Sequence, residues 1–138
     1  MEFDVLKSAY NSGKFVYTDK DKLAVECNAP NSAGVYLIYS KTSQGAELLF
    51  VGSSGSVSQN GSIGTNTLRH RILIRRDGTD REYFLKRKMQ TDHISYFEIE
   101  WYHTYENKEG SLPKFAEASI LQEYFKLNGK LPPWNKEY

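Results

Sequence analysis

One glutamate in the sequence stands where a helix would direct it toward an apolar interior. Glu117 is followed by Ile120, Leu121 and Tyr124 at offsets of three, four and seven residues, a spacing that places side chains on one face of an α-helix. A carboxylate on an apolar face costs free energy unless it is paired or binds a metal ion. The pattern therefore makes Glu117 a candidate catalytic or metal-binding residue. Helix position alone favours the alternative, a glutamate at the rim of the core that is paired with an arginine.

Basic side chains are concentrated in residues 68–88, which carry eight Lys and Arg against three Asp and Glu, a local charge of +5. The remaining ten basic and fourteen acidic side chains give −4, so the formal net charge of +1 conceals a cationic segment. Such a segment can attract and hold the phosphate backbone of DNA. The alternative is a pair of solvated, arginine-rich helix faces. The predicted DNA contacts are Arg69, His70, Arg75, Arg76, Arg81, Lys86, Arg87 and Lys88.

Three strands that could position these residues are predicted from composition. Residues 34–39 and 48–51 are uncharged and rich in β-branched and aromatic side chains, which is typical of buried strands. The short polar connection between them predicts an antiparallel hairpin. Residues 93–103 alternate apolar and acidic side chains and predict a third strand.

Helices are predicted on either side of the third strand. Asn66 or Thr67 can cap the first basic helix, which a glycine at 78 ends, and Thr79 or Asp80 opens a second helix that runs to about residue 90. The last helix begins at residues 111–113 and ends at Gly129. Residues 2–10 predict a short helix at the beginning of the chain, and the glycine- and serine-rich residues 53–67 predict a flexible loop.

Length and composition limit the class of protein. The chain has 138 residues, 39% of them hydrophobic and 25% charged, which suits one domain with a single core. Cys27 is the only cysteine, so no disulfide can form within the chain and a reducing, cytoplasmic location is expected. The acidic first residues and the lack of an apolar run of about 20 residues argue against a signal peptide and a membrane partner. We predict an α/β (α+β) fold with a small central sheet and flanking helices.

Five sequence features occur in a fixed order along these predicted elements. They are Gly34-Val35-Tyr36 on one strand, Phe50-Val51-Gly52 on the next, Arg71 on a helix, Glu117 on a later helix, and Trp134-Asn135. With this ordered set the chain resembles the GIY-YIG nuclease family over residues 32–135, and most of all its restriction-enzyme branch. Residues 1–31 would then be an N-terminal extension packed on the catalytic core.

The resemblance implies hydrolysis of phosphodiester bonds in double-stranded DNA on a three-stranded sheet, with Mg²⁺ or Mn²⁺ as cofactor and no small-molecule cofactor. By similarity Glu117 would hold the metal ion, which keeps several water ligands. Arg71 would bind the phosphate through parallel hydrogen bonds, with Arg69 as a rival for that role. Tyr36 would activate the attacking water, and Asn135 would be a structural residue near the site.

Two departures from the family pattern bear on activity. The second motif usually has a tyrosine where this chain has Phe50, which keeps the ring but lacks the hydroxyl, and Arg75 stands where a histidine is usual. One alternative is therefore a nucleic-acid-binding module that has lost turnover. A second alternative is an unrelated α/β protein whose basic helices bind a protein. Cutting both strands of a palindrome with one site per chain would favour a homodimer.

Overall fold

The computed structural model describes residues 10–75 and 78–136. In this part of the chain, five antiparallel strands and four helices form a mixed α+β fold. None of these helices combines the length and apolar character that a membrane crossing needs. The elements are β1 (Asn11–Tyr17), α1 (Leu23–Glu26), β2 (Ala33–Thr42), β3 (Gly45–Ser53), α2 (Leu68–Leu73), α3 (Arg81–Asp92), β4 (Tyr96–Glu106), β5 (Glu109–Gly110) and α4 (Pro113–Asn128).

The strands of the sheet follow the order β1-β4-β2-β3, with the short β5 paired to β4. The predicted hairpin is confirmed: β2 and β3 pair antiparallel from Val35 opposite Ser53 to Thr42 opposite Gly45. The third predicted strand is β4, which pairs with the other side of β2. β2 is therefore central, and β3 is an edge strand.

The prediction of a three-stranded sheet was wrong, because β1 and β5 also belong to the sheet. β1 pairs with β4 along its whole length and places Phe15 and Tyr17 in the core, while Val16 between them is 43% exposed. The alternation of buried and exposed side chains in β1 spans only three residues. The hydrogen bonds that stabilise β1 come from β4, which is far along the sequence. Residues 11–17, which the sequence assigned to an extension, are thus part of the sheet.

The helices cover the two faces of the sheet separately. On one face α2 and α3 bury Leu68, Ile72 and Leu85 against side chains of β2 and β4. On the other face α4 buries Ile120 and Leu121 against β2 and β3. A side chain on β2 therefore contacts either the α2 and α3 layer or the α4 layer, depending on its position in the strand.

The predicted helix ends are mostly confirmed. The Thr67 side chain accepts a hydrogen bond from the backbone N–H of His70 at the start of α2, and Asp80 accepts one from the N–H of Glu82 at the start of α3. Gly129 ends α4 in the left-handed conformation, at φ 69°. The helix predicted in residues 2–10 lies outside the described residues, apart from the last of them.

The glycine- and serine-rich segment after β3, predicted to be a flexible loop, is joined to the rest of the fold by several contacts. The N–H of Gly55 donates to the carbonyl of Asn66 at 2.6 Å, and Val57 forms a β-bridge with Ile63. In addition, a tyrosine hydroxyl on β4 donates to the carbonyl of Gly61. The segment is thus a closed loop against β4.

A buried tyrosine links β1 to both of its neighbouring helices. The hydroxyl of Tyr17 donates to the Glu82 carboxylate at 2.8 Å, and the same carboxylate oxygen accepts from the backbone N–H of Leu23 at 2.7 Å. Burial of the ring, followed by the hydrogen bond to Glu82 and its charge, raises the pKa of Tyr17 far above the ordinary tyrosine value.

We expect this raised pKa to make the protein less stable in alkali. Tyr17 stays protonated in the folded chain but ionises in the unfolded chain above about pH 10, so its contribution is complete below that pH and is lost as pH rises further. Tyr17→Phe should therefore flatten the decline in the free energy of unfolding above about pH 10, measured by urea denaturation. The control is Tyr83→Phe, which removes an exposed hydroxyl, and equal pH slopes in the two variants would contradict the prediction.

Candidate active site

Tyr36 lies on β2 in the middle of the sheet, opposite Gly52 of β3 and Trp101 of β4. Its ring crosses the backbone of Gly52: a Cβ atom there would lie 2.5 Å from Cζ and 2.6 Å from the hydroxyl oxygen of Tyr36. Glycine is needed at position 52 because any side chain would displace the tyrosine ring. Tyr36 itself is 2% exposed and faces the α2 and α3 layer.

Arg81, the first residue of α3, is buried beside the Tyr36 hydroxyl. Its Nη2 donates to the Tyr36 oxygen at 2.8 Å and to the carbonyl of Arg71 at 3.1 Å, while its Nε donates to the carbonyl of Ile72 at 3.2 Å. These acceptors offset the free-energy cost of burying the cation. Arg81 is 4% exposed, so it belongs to the Tyr36 cluster and not to the surface where a DNA contact was predicted.

A signal for the burial of Arg81 is present in the sequence. Arg81, Leu85 and Met89 follow one another at intervals of four residues, and all three are buried on one face of α3. The same spacing argument identified Glu117. For Arg81 this signal is obscured by the basic residues around it, whose common charge suggests a common role at the surface.

Arg71 and Arg69, the two candidates for the phosphate, are placed differently by α2. The guanidinium of Arg69 donates to the carbonyls of Cys27 at 2.6 Å and Ala24 at 2.7 Å, so it anchors the segment around α1. Arg71 is partly exposed, and its Nε has no hydrogen-bond acceptor among the described residues. Arg71 is thus the better placed of the two to bind a phosphate.

Phe50 completes the cluster around Tyr36. The centroids of the two rings are 6.0 Å apart, and the guanidinium carbon of Arg81 lies 5.4 Å from the Phe50 centroid and 5.6 Å from that of Tyr36. The cation therefore contacts two aromatic rings. Because Phe50 has no hydroxyl, only Tyr36 presents a phenolic oxygen to Arg81 in this cluster.

Glu117 is buried on α4, as its helical spacing predicts, and is 2% exposed. Its neighbours Ala116, Ile120 and Leu121 pack against the face of the sheet opposite to Tyr36. Lys114 lies one turn earlier, with its Nζ 3.6 Å from Oε2 of Glu117. The ion pair seen here is therefore with a lysine of the same helix, and the carboxylate lies across the sheet from the aromatic cluster.

The direction of α4 shows which end of the sheet Glu117 occupies. The N–H of Ser111, just before the helix, donates to the carbonyl of Thr104 at 2.7 Å, near the end of β4. Farther along α4, burial and then the charge of Glu47, near the start of β3, raise the pKa of Tyr124. The helix thus runs antiparallel to β3, and Glu117 in its second turn lies near the end of β3 that carries the second sequence motif.

Asn135 binds the free edge of β3. Its side-chain oxygen accepts from the N–H of Val51 and its side-chain nitrogen donates to the carbonyl of Val51, both at 3.0 Å. The N–H of Trp134 donates to the carbonyl of Leu49 at 2.9 Å. These bonds give Asn135 a structural role and bring the C-terminal segment to the residue before Gly52.

The structure brings Tyr36, Phe50 and Arg71 together on one face, together with Arg81, which was not predicted there. Glu117 lies on the other face, near the same end of β3. The two groups are separated by a strand whose outer edge faces no further strand in the described part of the chain. A substrate group at the edge beside Gly52 could meet side chains from both faces.

The seven predicted DNA contacts that lie within the described residues do not form one surface. Three of them bind backbone carbonyls of the protein: Arg69, Arg81 and Lys86. His70 is exposed on α2. Three others line a surface cavity beside α3, namely Arg75, Arg87 and Lys88. Arg76 lies outside the described residues.

Comparisons with protein-family models, with curated proteins and with solved structures found no match to this chain. Within residues 10–75 and 78–136, no three His, Cys, Asp or Glu side chains form a group that could hold a metal ion. The single Glu117 carboxylate still fits Mg²⁺, which commonly takes one or two carboxylates and completes its shell with water and substrate phosphate.

We expect Arg81→Met to destabilise the fold strongly. The substitution keeps much of the apolar stem but leaves the Tyr36 oxygen and two α2 carbonyls without their donor, at a cost of about 2–4 kcal/mol in the free energy of unfolding. Urea denaturation measures this cost. Arg87→Met changes an exposed arginine of the same helix and should cost less than about 0.5 kcal/mol, so equal losses in both variants would show that the buried hydrogen bonds are unimportant.

Proposed function

We propose that this protein is a divalent-metal-dependent endonuclease of the GIY-YIG type that hydrolyses phosphodiester bonds in double-stranded DNA. One observation supports the proposal most. Tyr36, Arg71 and Glu117, which the family pattern selects from distant parts of the sequence, all lie near the same end of the edge strand β3.

In this proposal Tyr36 activates the attacking water, and Arg81 positions the tyrosine. The 2.8 Å hydrogen bond from Arg81 fixes the Tyr36 oxygen, and the hydroxyl donates its own proton to the carbonyl of Arg71, 3.5 Å away. To accept a proton from water, Tyr36 would first release that proton to solvent and act as the phenolate, whose negative charge the Arg81 guanidinium would stabilise. A general base must lie within hydrogen-bond reach of the water it activates. Since Tyr36 is 2% exposed, water and phosphate would have to approach along the open edge beside Gly52.

Arg71 would bind the scissile phosphate at that edge. A guanidinium is planar and always charged, and it can donate two parallel hydrogen bonds to phosphate oxygens. The Arg71 backbone is held by Arg81 through its carbonyl, while its side chain is partly exposed. The arginine is thus anchored at the backbone and could extend its head group toward a bound phosphate.

Glu117 would hold the metal ion from the opposite face. A bound Mg²⁺ or Mn²⁺ would supply positive charge to stabilise the transition state and the leaving oxygen. Lys114, whose ammonium lies 3.6 Å from the carboxylate, occupies a position where a cation is favoured. Its side chain is 51% exposed, so it can move away when another cation approaches Glu117.

The second candidate is a nucleic-acid-binding module without turnover, and two observations favour it. The Tyr36 hydroxyl is enclosed by Arg81 and the carbonyl of Arg71, which limits its access to water. Phe50 also lacks the hydroxyl that the family pattern would place beside it. A protein of this kind would bind DNA in a salt-sensitive way but cut none.

Cleavage of supercoiled plasmid DNA with a panel of divalent ions tests the proposal. We expect nicked or linear product with Mg²⁺ or Mn²⁺ and none with a chelator. Glu117→Gln and Arg71→Ala should each lower the rate at least about 100-fold, as loss of a group that stabilises the transition state does.

Glu123→Gln is the matched control, because Glu123 is exposed on the same helix as Glu117. Its rate should equal that of the wild-type protein. Cleavage that survives in Glu117→Gln would refute the metal-binding role. Salt-sensitive DNA binding with no cleavage under any divalent ion would establish the second candidate instead.

Phe50→Tyr tests whether the missing hydroxyl limits the enzyme. The ring at this position already contacts Tyr36 and Arg81, so the added hydroxyl would extend the polar part of the cluster. We expect a higher cleavage rate, measured at saturating metal. An unchanged or lower rate would mean that the site is organised around phenylalanine.

A further inference from the structure

A cavity of about 570 Å³ lies beside α3, outside the Tyr36 cluster. Its lining includes two aromatic side chains, Tyr83 and Phe84, and three cations, Arg75, Arg87 and Lys88. The volume falls within the range of sites that bind small organic groups. Aromatic rings combined with cations are suited to a flat, electron-rich group that carries phosphates.

The two aromatic rings differ in what already covers them. Phe84 packs edge-to-face on Trp134, with centroids 4.9 Å apart, and the guanidinium carbon of Arg75 lies 4.2 Å from its centroid. Tyr83 is 65% exposed, and the guanidinium carbon of Arg87 lies 5.8 Å from its centroid. Phe84 is therefore built into the cavity wall, whereas Tyr83 presents most of its surface to solvent.

The two acidic residues that line the cavity each contact another group of the protein. Asp80 accepts a hydrogen bond from the N–H of Glu82 as the cap of α3, and Asp92 lies 3.9 Å from the ammonium of Lys88. Arg87 is exposed one turn after Tyr83 on the same helix. With Lys88 paired to Asp92, the two arginines outnumber Asp80, so the net charge of the cavity is positive and favours an anionic ligand.

We infer that this cavity binds an unpaired nucleobase of a DNA strand, which stacks on Tyr83 while Arg75 and Arg87 contact the flanking phosphates. The inference rests on the proposed function and narrows the substrate to DNA that presents an unpaired base near the cleaved bond. A base inside a closed duplex has both faces covered by its neighbours and must leave the stack before it can contact a side chain in this way. Stacking on an aromatic ring tolerates any base.

Fluorescence anisotropy with a labelled oligodeoxynucleotide tests the inference, with a chelator present so that no cleavage occurs. We expect the single strand to bind more tightly than its matched duplex. Tyr83→Ala should weaken single-strand binding about tenfold, the loss expected for one stacked base, while Tyr83→Phe should bind as the wild-type protein does. Replacing the bases by abasic sites should weaken wild-type binding by a similar factor and should remove the effect of Tyr83→Ala.

Phe115→Ala is the matched control, because Phe115 is an aromatic residue with 66% exposure on α4, at the opposite face of the sheet. It should leave binding unchanged. Equal affinity of Tyr83→Ala and wild-type protein, or tighter binding of the matched duplex, would overturn the inference. If plasmid cleavage persists in that case, the proposed function stands and only the inference fails, whereas absence of both binding and cleavage would overturn both.

Discussion

A single buried guanidinium ties the central strand β2 to the helices α2 and α3. Arg81 begins α3, donates to two carbonyls of α2 and holds the hydroxyl of Tyr36 on β2. Burial of a charge is costly unless it is fully hydrogen-bonded, so this arrangement is stable only when the three elements are correctly placed together. Gly52 is part of the same constraint, because the Tyr36 ring can reach Arg81 only across a residue without a side chain.

The candidate site depends on the position of β3 at the edge of the sheet. Had another strand paired beyond it, Glu117 on one face and Tyr36 on the other could not contact a common ligand. The C-terminal segment pairs with Leu49 and Val51, and these bonds stop just before Gly52. Asn135 would thus limit the open edge without taking part in the chemistry.

Those parts of the fold and of the candidate site that depend on neighbouring residues could be predicted from the sequence, whereas those that depend on residues far along the chain could not. The hairpin of β2 and β3, the end of α4 at Gly129 and the burial of Glu117 follow from neighbouring residues and were predicted correctly. β1 was missed because its pairing partner is far along the chain. Helical periodicity predicted a buried Glu117, and composition predicted a buried strand around Tyr36. Neither could show that the two side chains face opposite sides of the sheet, since packing between elements decides that.

Some of the basic side chains in residues 68–88 hold parts of the fold together, and the others lie at the surface. Arg69, Arg81 and Lys86 bind backbone carbonyls, so counting charges overstates how many phosphates the protein can neutralise. If the two arginines of the α3 cavity each contact one phosphate of a single strand, log Kd would change by only about 1.4 units per tenfold change in salt. That electrostatic term gives weak, unselective binding, and selectivity must then come from contacts that salt does not screen. A base stacked on Tyr83 would supply such a contact and would favour unpaired over paired DNA.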